Sequence, residues 1–100
     1  MKMKLLLEWD IRPELERPYF EFIVREFAPG LTELGLRLTE AWYTAYGSGP
    51  QIHVAGVADD VETIHHILNS EEWHRLYSQL SRYVHNFSKK IVPDRGGFQL

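Results

Sequence analysis

Two strand-like runs meet at Gly47-Ser48-Gly49-Pro50, and this junction constrains the fold more than any other feature of the chain. "LRLTEAWYTAYG" precedes it and "QIHVAGVA" follows it. Gly and Pro between such runs mark a β-hairpin. Upstream, "KMKLLLEWDI" reads as a first strand, stopped by the polar turn Arg12-Pro13-Glu14. Leu15, Tyr19, Ile23 and Phe27 then recur at helical spacing, with Phe20 and Val24 widening the stripe and Pro18 suited to a first turn. Pro29-Gly30 is expected to interrupt this helix, leaving one further turn that ends at Gly35 in a left-handed cap.

Downstream of the hairpin, Asp59 with Glu62 three residues on resembles a capping box and opens a short helix running to about Asn69. Ser70 is the expected N-cap of the next helix, with Glu71 and Glu72 at the positive end of its dipole. Trp73, Leu76, Tyr77, Leu80, Val84 and Phe87 follow at three- and four-residue steps, and Asn86 is the expected C-cap. "FSKKIV" supplies a fourth strand and "PDRGGFQL" a tail. The order β-α-β-β-α-β predicts an α+β, ferredoxin-like domain: a four-stranded antiparallel sheet with both helices on one face and strands one and three central.

One hundred residues make one domain, 1–100, with a core of modest size. The formal net charge is −3 and no basic run occurs, so neither a nucleic-acid groove nor an anionic membrane is an expected partner. The chain has no cysteine, which removes disulfides, thiolate nucleophiles and thiolate metal sites. The apolar run Leu5–Leu7 is too short for a signal-peptide core or a membrane span, so a cytoplasmic protein is the expectation.

Alternation divides the strands into two faces. Leu5, Leu7, Trp9 and Ile11 share one, and Leu6, Glu8 and Asp10 the other. If Tyr46 pairs with Gln51, then Trp42 lies opposite Ala55, and Leu38, Glu40, Trp42, Tyr46, His53 and Val57 share one face. Two helices cover only one face of a sheet, so this aromatic face is expected to stay open on a single chain. Large exposed apolar patches mark interfaces or binding grooves. Burial of roughly 600 Å² per chain gives about 15 kcal/mol gross, much of it offset by association entropy. The expectation is a homodimer with two sheets face to face, the aromatics and His53 pointing into the space between them.

The stretch "FAPGLTELGLRLTEAWYTAYG", with Pro29, Leu34, Gly35, Leu36, Trp42 and Gly47, resembles the NIPSNAP-type pattern within the dimeric α/β barrel superfamily. Asp59-Asp60 and "NSEEWHRL", with Trp73 at the aromatic position, are similar to it as well. The first strand departs from that pattern: "LEWDI" stands where the family tends to place an Arg and a Tyr. The resemblance implies a homodimeric barrel and no single activity. Antibiotic-biosynthesis monooxygenase-like proteins, haem-degrading enzymes and isomerases share the superfamily. The haem-degrading members use an Asn on the first strand, and this chain has none there, so no cofactor is expected.

Among titratable residues His53 stands out, because Glu8 or Asp10 on the neighbouring strand can orient an imidazole as a general base. Its competing role is that of a satisfied interface histidine. Leu6, Leu38, Glu40, Trp42 and Tyr46 are the candidate ligand contacts. His65, His66 and His74 read as solvated helix residues rather than a metal site, and His85 as a partner of a helix C-terminus. The function expected is binding of a small apolar or aromatic metabolite between sheet and helices, with cofactor-independent oxygenation or isomerisation as the candidate reaction. The alternative is a non-catalytic ligand sensor or assembly module.

Overall fold

The computed structural model describes residues 1–44 and 49–95. Strand β1 (Met3–Ile11) leads into α1 (Glu16–Phe22), a π-helical turn (Ile23–Phe27) and α2 (Ala28–Glu33). Strands β2 (Arg37–Tyr43) and β3 (Ile52–Ala58) follow, then α3 (Val61–Leu68), α4 (Glu71–Leu80) and β4 (Val84–Pro93). The sheet order is β2-β3-β1-β4, antiparallel throughout, with β3 and β1 central. This is the ferredoxin-like α+β arrangement that the element order predicts.

Burial in β1 alternates as its sequence does. Leu5, Leu7, Trp9 and Ile11 are buried, whereas Leu6, Glu8 and Asp10 are only partly so. The buried set meets Phe27, Leu31, Ile64, Ile67, Leu76 and Leu80 from the helices. Trp9 sits at the centre: Phe87 stacks on it at 6.1 Å, and Tyr19 and Phe27 meet it edge-on at 6.4 and 5.8 Å. Among the described residues no helix is long and apolar enough to cross a membrane.

Four local expectations are corrected. Pro29 and Gly30 do not interrupt the first helix; both lie inside α2. Proline has no N–H to donate to the preceding turn. The helix takes a wider pattern just before it, with the Ala28 N–H reaching the Ile23 carbonyl. The cap of α3 is Asp60, not Asp59, and its carboxylate accepts from the Thr63 N–H at 2.8 Å and the Thr63 hydroxyl at 2.7 Å. Helix α4 ends at Leu80, so Val84, His85, Asn86 and Phe87 belong to β4, and His85 caps no helix.

The fourth correction is the hairpin register. Trp42 pairs with His53, not Ala55, and Glu40 pairs with Ala55. A slip of two residues leaves each side chain on its predicted face. A bulge between Leu38 and Glu40 then reverses the alternation, and Leu38 pairs with Gly56 on the helix side. Leu38 is therefore not on the Trp42 face. Ser70 and Gly35 behave as expected: the Ser70 hydroxyl accepts from the Trp73 N–H at 3.1 Å, and Gly35 has φ +105°.

Candidate functional site

The two faces of the sheet carry two different arrangements. On the helix side, a cavity of about 500 Å³ lies between the first helical run and the β2 end of the sheet. Tyr19, Phe20, Ile23, Phe27 and Leu31 wall it from the helices, and Trp9, Ile52 and Val54 from the central strands. Edge strand β2 contributes consecutive residues from Leu38 to Tyr43. Its helix-facing Ala41, opposite Val54, is small, which leaves room beneath the aromatic helix stripe. The π turn places Ile23 and Phe27 in the same wall. Such turns widen a helix locally and recur at functional sites.

The cavity wall holds one buried polar pair. The Trp9 indole N–H donates to the Tyr19 hydroxyl at 2.8 Å. Tyr19 is only 2% exposed. Burial pushes its phenol up to about 12, although the bond from Trp9 works the other way.

On the open side, His53 stands among carboxylates. Its Nδ1 is 3.1 Å from Glu8 Oε2, and its Nε2 is 3.7 Å from Glu40 Oε2. Lys4 Nζ donates to the other Glu40 oxygen at 3.1 Å and lies 4.0 Å from Asp94. The Trp42 ring stacks on His53, with centroids 5.0 Å apart and planes 14° from parallel. Glu8 and Trp42 are the residues opposite His53 on its two neighbouring strands, so the sheet register itself builds this group. The face is more polar than the strand alternation predicts, because the bulge takes Leu38 off it and brings Arg37, opposite Val57, onto it.

The predicted site residues thus separate. Glu8 and His53 come together, with Glu40 and Trp42 beside them. Asp10 serves a different purpose. It accepts from the Gln51 N–H at 2.9 Å and from Asn86 Nδ2 at 3.0 Å, and the Asn86 bond, then Gln51 and nearby His85, hold its carboxyl below the usual range. Leu6 lies on the open face, while Leu38 lines the cavity. Tyr46 and the rest of the turn, 45–48, fall outside the described residues, as does the tail beyond Arg95. His53 points away from the cavity that its chain neighbours Ile52 and Val54 line. Sequence reasoning missed Tyr19, Phe20, Ile23 and Phe27 as cavity residues. The available signal was a helix stripe of large side chains facing a strand with small Thr39 and Ala41. No group of three or more His, Asp or Glu able to hold a metal occurs among the described residues.

No family model matches the chain. No curated protein matches it. Solved structures do. A NIPSNAP-like domain protein from Burkholderia xenovorans superposes with a TM-score of 0.72 at 20% identity, covering 99% of this chain and 90% of that one. An ethd family protein from Bacillus halodurans gives 0.74 at 17% identity over 94% and 99% of the two chains. SnoaB from Streptomyces nogalater, described as a cofactor-independent oxygenase, gives 0.72 at 11% identity over 96% and 95%. The chain carries the ferredoxin-like fold that NIPSNAP-like, ethd and cofactor-independent oxygenase structures share, the group its sequence resembles.

Proposed function

We propose that this chain is a single-domain, cytoplasmic, homodimeric barrel protein that binds a flat apolar or aromatic molecule between its helices and its sheet. The observation that carries the reading is the cavity of about 500 Å³ with its aromatic walls. Volumes of that order hold small organic ligands, and mostly apolar linings with few polar groups are their usual setting. SnoaB, described as a cofactor-independent oxygenase, has the same fold, which makes oxygenation the first candidate reaction, with the isomerisation that the sequence resemblance implies as the other. For the dimer, the support is Trp42, 58% exposed on the helix-free face, and a similar structure from Bacteroides fragilis described as dimeric.

The reading is tested by calorimetric titration with ethylnaphthalene as the probe. Wild type is expected to bind it saturably. Leu38→Trp fills the cavity and is expected to weaken binding by at least about tenfold without loss of folded structure. Equal binding by the variant, or none by wild type, removes the proposal.

A second reading rests on the 3.1 Å contact between Glu8 and His53. A carboxylate holding one imidazole nitrogen orients the ring so that the other, here 3.7 Å from Glu40 Oε2, can act as a general base. In a face-to-face dimer this pair, flanked by Glu40, lines the space between the sheets. His53→Ala would then abolish turnover while leaving the probe bound in the cavity; turnover that survives the substitution eliminates this role.

A further inference from the structure

We infer that Tyr19 is the polar anchor of the cavity, its hydroxyl donating a hydrogen bond to an acceptor oxygen on the ligand, so that the ligand class narrows to flat apolar molecules that carry a carbonyl oxygen. The inference rests on the cavity reading and adds a chemical identity to it.

The argument runs through the hydrogen-bond inventory of a phenol, which has one proton to give and two lone pairs to receive. Tyr19 receives a bond from the Trp9 indole, which can only donate. That contact occupies one lone pair of the hydroxyl and leaves its proton to be donated elsewhere. Among the described residues no acceptor takes the Tyr19 proton. Both partners belong to the cavity wall. A buried O–H without an acceptor loses its hydration and gains nothing in return. A ligand carbonyl restores the missing bond. Burial also keeps the phenol protonated, since its pKa is pushed up to about 12. It is therefore a donor at every ordinary pH.

The other polar groups along the wall are occupied elsewhere. Thr39 Oγ1 turns to the Ala55 carbonyl at 3.5 Å, and the Glu40 carboxylate is held by Lys4 on the far face. Trp42 stacks on His53 on that same far face, and Tyr43 is 55% exposed. Among the side chains of the wall, Tyr19 is thus the one left with a buried donor for a molecule lying against Phe20, Phe27 and Leu31.

The experiment compares two probes of one shape, ethylnaphthalene and acetylnaphthalene, against wild type and Tyr19→Phe. Wild type is expected to favour the ketone, and Tyr19→Phe to lose about tenfold for the ketone while holding the hydrocarbon unchanged. Equal loss for both probes, or no loss for either, overturns the anchor and leaves the cavity reading standing. Failure of wild type to bind either probe overturns both. Because Tyr19→Phe strips the Trp9 indole of its acceptor, a second measurement uses wild type alone. The infrared carbonyl stretch of bound, isotope-labelled acetylnaphthalene is expected below its position in cyclohexane. A stretch at the cyclohexane position overturns the inference.

Discussion

Tyr19 carries the cavity's one polar decision, and its own titration reports on its burial. The native chain keeps the phenol protonated up to about 12, whereas tyrosines in an unfolded chain titrate near ~10. The folded value is the higher one. The stabilisation is therefore fully present below pH ~10 and is lost as pH rises through about 12. Tyr19→Phe has no such proton to lose. The stability gap between wild type and this variant, read from urea midpoints, is expected to narrow by roughly 2–3 kcal/mol across that window. A gap that stays constant from pH 8 to pH 12 contradicts a buried phenol. At this scale the sequence announces burial, because Tyr19 stands in a helical stripe, but not the indole bond, which needs β1 and α1 docked. The α3 cap shows the same boundary. Asp59 and Asp60 each have a polar residue three positions on, and only the entry angle of the helix selects Asp60 with Thr63.

At the scale of elements, the end of α4 shows how one period can imitate another. Val84 and Phe87 continue the spacing of the helix, yet both lie in β4. Residues on one face of a regular strand are separated by even numbers. Three residues separate these two because the pairing slips between Glu8 and Asp10, where Asn86 adopts φ +56°. The bulge inserts one extra residue, and Val84 and Phe87 both reach the core. Asn86 tolerates that backbone and also donates to Asp10. Asn86→Ala is expected to cost about 1–2 kcal/mol in denaturant unfolding, since alanine is strained at positive φ. Asn86→Gly keeps the backbone free and loses only the side-chain bond, so its cost should be clearly smaller. Equal costs for the two would assign the whole effect to the bond with Asp10. The element order was legible because turns, caps and apolar spacing agree over most of the chain. The two bulges were not, because a bulge depends on the partner strand, and both of them moved side chains between faces.

At the scale of the whole molecule, the question is what covers the sheet face that the helices leave open. Strand alternation predicts a greasy face, but the β2 bulge moves Leu38 off it and the register gathers Lys4, Glu8, Glu40 and His53 beside Trp42. In the proposed dimer a second copy would meet one large exposed ring and a strip of charges already paired within the chain. Paired groups lose less on desolvation than lone ones, so the strip does not forbid an interface, though it lowers the hydrophobic gain below the roughly 15 kcal/mol of a fully apolar patch. In that proposed interface Trp42 would hold most of the association energy, as a central aromatic commonly does. Trp42→Glu adds a carboxylate beside Glu8 and Glu40 while removing that ring. It is expected to convert the dimer to single chains of 11.8 kDa in light scattering, with folding unchanged because Trp42 contributes nothing to the helix-side core. A wild-type protein that scatters as single chains at every concentration removes the dimer. A dimer that survives Trp42→Glu places the interface elsewhere, and with it the reason for leaving a tryptophan in water.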